Sequence, residues 1–274
     1  MYTKDIKNEF KNIGASVKFG ELLPRFPLQR VEQSIVIDVK TKKKKEFFEI
    51  LVNPHAKKHI ELTVLDIQKK DRHLLLNVKE NVKGNSKSVK SVNELFLCGH
   101  DERHLFVAAL KGFPSNVHVA KEYLKPDAVV ESQKTHGVKF KDRNKRKNDG
   151  FVRQGEWFFI PSTNLVPDES LILKKEPLRR GRGKPHIAQF LYRHGGTTVY
   201  VSEEYPNGLT QLQYSKFLRN NLKKKLSWRT MTRNPAAYVK GRISHPDHKP
   251  IVLPCWHRVV VNGEAVSDRV AFLD

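Results

Sequence analysis

Apolar residues in this chain gather in short β-branched or aromatic runs, each closed by charged, glycine or proline residues before it reaches helical length. SIVIDVK from Ser34 and EFFEILV from Glu46 flank the turn-like TKKKK, which predicts a β-hairpin with a charged tip. IELTVLDI from Ile60, HLLLNVK from His73, ELFLCG from Glu94 and HLFVAAL from His104 extend the pattern, so the first third is expected to be mostly strand. FVRQGEWFFIP from Phe151, with Gly155 as a turn or bulge, opens a second series. TTVYVSEEY, AAYVKGRI, KPIVLP, HRVVVNGE and DRVAFLD follow, and Asn262-Gly263 is a strong two-residue hairpin signal.

Helical patterns are few. SNVHVAKEYLKP has Ser115 as a candidate N-cap and Pro126 as a stop, and LTQLQYSKFLRNNLKKK has Thr210 as N-cap with Leu212, Phe217 and Leu218 inward. No fixed-period repeat is evident, which argues against solenoids and propellers. The expected fold is α+β and β-rich, with mixed or mainly antiparallel sheets and a few short helices.

Between Lys134 and Lys147, seven Lys or Arg stand against the single acid Asp142. Dense like charge with scarce apolar residues reads as a solvated connection. Residues 1–133 are therefore expected as a β-rich N-terminal half, 134–150 as a basic linker or loop, and 151–274 as a β-rich C-terminal half with one amphipathic helix.

The charge balance points to a partner. Lys and Arg number 51 against 29 Asp and Glu, a formal net charge of +22. Such self-repulsion is offset when a polyanion releases its counterions on binding. Nucleic acid, RNA or DNA, is the partner expected, with an acidic protein as the other class. A membrane is not expected, since neither an apolar run of about 18 residues nor a signal-peptide core occurs. Two cysteines, Cys98 and Cys255, far apart in strand-like contexts, fit a reducing, cytoplasmic or otherwise intracellular compartment.

The positive charge collects in loops. Lys139, Lys141, Arg143, Lys145, Arg146 and Lys147 in one segment, and Arg179, Arg180, Arg182 and Lys184 in the Gly-rich LRRGRGKPH, are the candidate phosphate contacts. Phe140, Tyr192 and Trp228 are candidate stacking surfaces beside them. GRGK lacks the Walker spacing, and no helix-turn-helix, zinc-finger or RNP signature is present.

Histidine provides the competing signal. Twelve occur, concentrated in FLCGHDERH, in KPHIAQFLYRHGG with His186 and His194, and in SHPDHKPIVLPCWHR. These are metal-ligand and acid–base residue types, although HDERH is not HExxH and HPDH with CWH is not a Cys2His2 finger. If the first and last segments meet, His100, Asp101, Glu102 and His104 would act with His245, His248 and His257, beside Asp247. The alternative to a nucleic-acid-binding protein is then a metal-assisted hydrolase such as a nuclease, with a divalent metal as its cofactor.

Overall fold

The computed structural model describes residues 3–24, 32–83, 89–180, 184–221, 225–265, 267 and 269–270. A helix, α1 (Thr3–Asn12), leads into β1 (Val17–Glu21), and β2 (Ile35–Lys42) and β3 (Lys45–Val52) form the expected charged-tip hairpin. Its turn is closed by Lys43 and Lys44, both left-handed at φ 50° and 63°, as a two-residue connection between twisted strands requires. The sheet order is β1-β3-β2, with β1 parallel to β3.

β4 (Ile60–Gln68), β5 (His73–Lys83), β6 (Val89–His100) and β7 (Leu105–Ala109) follow as an antiparallel meander. In β5 the run Leu74-Leu75-Leu76 is fully buried because both faces are covered. Leu74 and Leu76 join Phe10, Ile37, Phe48 and Phe96 in the core under α1. Leu75 faces the other way, with Leu97, Val117 and Ala120, under α2 (Val117–Tyr123).

The N-cap of α2 is Asn116, one residue past the expected Ser115; its Oδ1 accepts from Val119 N at 2.9 Å. Pro126 ends that helix and also opens a second, α3 (Asp127–Thr135), since proline tolerates the start of a helix as well as it stops one. The basic segment 134–150 then contains a 3-10 turn (Phe140–Asp142) and β8 (Lys147–Asn148). It is fastened by its backbone: Lys125 Nζ and Gln133 Nε2 both donate to the Arg143 carbonyl, at 2.9 and 2.8 Å, and Ser132 Oγ donates to that of Gly150 at 2.8 Å. Its composition reports charged side chains and is silent on these main-chain contacts.

β9 (Phe151–Gln154) and β10 (Trp157–Pro161) pair across Gly155, whose φ of +57° supplies the expected turn. They join β11 (Leu173–Leu178), β12 (His186–His194), β16 (Ala236–His245) and β17 (His248–Val261) in a seven-stranded antiparallel sheet of order β11-β12-β16-β17-β10-β9-β8. Phe159, Leu191, Val239, Ile243 and Leu253 form its core.

A side sheet holds β13 (Thr197–Val201), β14 (Leu209–Thr210) and β15 (Arg229–Arg233), with α4 (Gln211–Asn220) against it. Thr210 caps α4 in a reciprocal capping box with Gln213. Only Phe217 of the three expected inward residues is buried; Leu212 and Leu218 are exposed, because the small sheet covers one narrow stripe of the helix.

Asn262-Gly263 makes no hairpin. Asn262 N donates to Glu156 O and Gly263 N to Leu124 O, carrying the chain off β17 and back toward the N-terminal sheets. Ala265 N then bonds Ala109 O, Ile37 N bonds Arg269 O at 2.7 Å, and Val270 enters the N-terminal core. Among the described residues no helix is long and apolar enough to cross a membrane.

Phe159 has no exposure whereas Leu212 is 82% exposed. Phe159→Ala is expected to lower unfolding free energy by roughly 3–5 kcal/mol and Leu212→Ala by under about 0.5 kcal/mol, read from urea transitions.

Candidate metal centre

Strand register builds the site. Pro246 and Asp247 form a two-residue connection between β16 and β17, and His245 and His248 are directly opposed across it. Opposed residues of an antiparallel pair project from the same face, so the two imidazoles meet with centroids 4.7 Å apart. On the other side of β16, Ile187 pairs with Ser244, which brings His186, the first residue of β12, level with His245. The His186 ring stacks on His245 at 4.2 Å and lies 5.5 Å from His248. Three neighbouring strands thus present one histidine each in a row.

One ring nitrogen from each lies within 4.8 Å of the others. A point central to such a triangle is at most about 2.8 Å from each corner, against metal–nitrogen bonds of about 2.0–2.1 Å, so the three nitrogens would share one ion after closing in by under about 1 Å with the stacked rings turned toward it. His186 is the most telling member. It is 1% exposed, and neither of its ring nitrogens has a hydrogen-bond partner. Burial, with the charges of His245 and His248 behind it, holds its pKa down at about 3, so it is a neutral ligand throughout the physiological range.

His248 lies over Gly155, where a Cβ would come within 2.8 Å of its Nε2. Its Nδ1 faces Glu102 Oε2 at 3.3 Å, the carboxylate contact that orients a ligating imidazole. His245 is already engaged at both nitrogens, Nε2 donating to Lys184 O and Nδ1 accepting from Asp247 N, each at 3.1 Å, so to ligate a metal it would have to exchange one of these bonds.

The turn between β6 and β7 closes the other wall. Glu102 Oε2 also accepts from Lys249 N at 3.0 Å, and Arg146 binds Glu102 Oε1 at 2.6 Å and the Asp101 carboxylate beside it. His104 Nδ1 bonds Glu46 at 2.6 Å and its Nε2 stands 3.9 Å from Asp247, which Lys184 grips at 3.0 Å. Burial raises the pKa of Asp247, but Lys184 outweighs it and leaves the group below its ordinary value. A cavity of about 350 Å3 adjoins these groups, lined also by Arg153 and Glu156.

The two expected histidine segments therefore meet, through Glu102, His104, His245, Asp247 and His248. Asp101 is bonded to Arg146 and lines the cavity beside the histidine row. His100 does not join the row: it pairs with Arg72 at 2.8 Å. His257 is also excluded, since it lies nine residues along β17 from His248, about 30 Å in an extended strand, buried and bonded to the Cys255 carbonyl at 2.8 Å. His186 completes the cluster; its sequence group was visible, but no spacing rule linked it to HPDH before the register was known.

Among the candidate phosphate contacts, Arg146, Arg180 and Lys184 serve inside the molecule, with Arg180 bonded to Asn262 at 2.5 Å and 3.6 Å from Glu264. Lys145 pairs with Asp142, and Arg143 Nε contacts Val138 O at 3.4 Å. Arg182 lies outside the described residues. Tyr192 is buried in the large sheet and Trp228 packs among Tyr205, Tyr214 and Phe217, so of the expected stacking residues only Phe140 is exposed, beside His118.

Comparison with protein-family models, with curated proteins and with solved structures finds no match.

A second cavity of about 260 Å3 adjoins the first and is lined by His73. Its Nε2–H donates to His100 O at 3.1 Å, and burial, reinforced by Lys121, lowers its pKa to about 4. The unfolded chain protonates this imidazole near 6.5 and the folded chain only near 4, so the unfolded state binds more protons in that window. Stability is expected to be full above pH about 6.5 and to fall toward pH 4, with His73 accounting for roughly 3 kcal/mol. Urea midpoints across pH 4–8 measure this, and His73→Phe should remove this share of the fall, leaving that of His186 and the other lowered histidines.

Proposed function

We propose that the protein is a metal-dependent hydrolase acting on an anionic ester, with one divalent cation held by His186, His245 and His248. The observation that carries this reading is the buried His186 ring, unpaired at both nitrogens and turned to two further imidazoles. Leaving such polar atoms unsatisfied is unfavourable, and a cation satisfies them. Imidazole donors suit zinc and its first-row neighbours.

Three protein ligands leave a coordination position for water, whose pKa falls to about 7 on zinc. The Glu156 carboxylate lines the same cavity and has no hydrogen-bond or ion-pair partner among the described residues, which suits it to take the water's proton. A metal held there would supply an activated water for attack on the ester, and Glu156 would hold the water's proton and return it to the leaving oxygen as the ester bond breaks. The net charge of +22 favours anionic substrates by steering. Two free cysteines are compatible with an intracellular setting, which belongs to the same proposal.

Nucleic-acid binding is a second reading, favoured by Lys139, Lys141, Lys147 and Arg179, which are exposed and have no carboxylate partner among the described residues. On this reading they contact the phosphate backbone, and a nuclease would unite both activities.

Metal analysis of the purified protein should find about one divalent ion per chain, lost in His186→Ala and His248→Ala; retention of the ion by both variants rejects the ligand set. Glu102→Gln should weaken metal affinity by about 10–100-fold through loss of the orienting contact. For the second reading, oligonucleotide affinity should fall as salt rises, and each charge removed from the four exposed residues should reduce the log–log slope by about 0.7–0.9.

A further inference from the structure

Arg153 is a half-buried cation with no carboxylate in direct contact among the described residues. On β9 its Nε donates to the Gly155 carbonyl at 2.7 Å, and its guanidinium carbon stands 5.5 Å from the Phe158 ring centroid. Among the described residues its Nη atoms have no hydrogen-bond partner and no carboxylate oxygen lies within 4.0 Å. Three of the nearby acids are committed elsewhere, Asp101 to Arg146, Glu102 to Arg146, Lys249 and His248, and Asp71 to Lys121, while Glu156, three residues along the turn, attracts Arg153 without a direct contact. Burial holds the Arg153 pKa below its ordinary value, with Asp101 opposing.

The side chain lines both cavities, the one beside the histidine row and the adjoining one bordered by Lys121 and Arg146. With no protein partner on its Nη atoms, the guanidinium is available to a ligand, and its planar fork matches an oxyanion with two parallel N–H groups. Its position relative to the metal site is fixed by one turn. Gly155 accepts the Arg153 Nε–H through its carbonyl and, lacking a Cβ, admits the His248 ring above it.

We propose that Arg153 anchors a phosphoryl group of the substrate next to the three-histidine row. A tetrahedral phosphoryl group has oxygens to spare for two poles, one turned to the guanidinium and another to the metal-binding face; a carboxylate spends both of its oxygens on the fork. The anion site rests on Arg153 alone, whereas the preference for phosphoryl rests on the metal-dependent hydrolase reading. Substrates are accordingly phosphate esters, cleaved by addition of water oxygen to phosphorus and departure of the alcohol with the second proton.

The test uses the full chain freed of metal by chelation and dialysis, with inorganic phosphate as probe at constant ionic strength in chloride. Calorimetry and thermal unfolding should show saturable phosphate binding with a rise in Tm. Arg153→Met should abolish it and Arg153→Lys should weaken it by about tenfold, because a point charge replaces the fork. Lys57→Met, on the exposed 3-10 turn before β4, should bind as the parent does. If Arg153→Met does not fold, Arg153→Lys carries the comparison. Undiminished phosphate binding in the folded Arg153 variants, or no saturable binding by the parent, overturns the anion site. Acetate binding as tight as phosphate overturns the phosphoryl assignment in favour of a carboxylate. Failure of the metal reading is separate: it appears as a protein that binds no divalent ion while its phosphate site persists.

Discussion

One carboxylate joins the meander to the large sheet. Glu102 offers one oxygen to Arg146 and the other to Lys249 N and His248 Nδ1, so a turn of the N-terminal meander is bonded to the tip of a C-terminal hairpin. Bonds to an ionised group contribute roughly 1.5–3 kcal/mol each where they are shielded from water. The effect here is as much positional as energetic. The same contact that closes the two sheets orients one imidazole of the histidine row, so the assembly of the fold and the assembly of the site are a single event.

Local strand logic was readable in the amino-acid sequence because strand length, turn residues and β-branching are local properties. The β2–β3 hairpin, the turn at Gly155 and the capping box at Thr210 all follow from residues within a few positions of one another. Where distant packing decides, the local reading stops. Asn262-Gly263 has hairpin chemistry, but its backbone hydrogen bonds go to Glu156 and Leu124, contributed by other parts of the fold. Segment 134–150 has the composition of a linker, and its fastening groups, Lys125, Ser132 and Gln133, all precede it.

The site divides in the same way. HPDH reads as two histidines around a two-residue turn, and the meeting of HDERH with HPDH was an expectation from residue chemistry. His186 became a member only through the β12–β16 register, a long-range fact. His100 and His257 share the chemistry of the others but not their place: one is drawn to Arg72, and the other lies far along the same strand. Arg153 had no signal at all, since an isolated arginine on a short strand acquires meaning only from the two cavities it lines.

The return of the chain to its first sheets has a consequence for synthesis. Val270 fills part of the core made by Ile37, Phe48 and Phe96, and the Arg269 carbonyl caps an edge amide of β2. Arg269 itself reaches Glu80 and Glu94 on β5 and β6. During translation, the amino-terminal sheets emerge first and wait for these residues with an apolar slot open and two acids unneutralised. A chain that stops within the large sheet therefore leaves an incomplete amino-terminal unit as well.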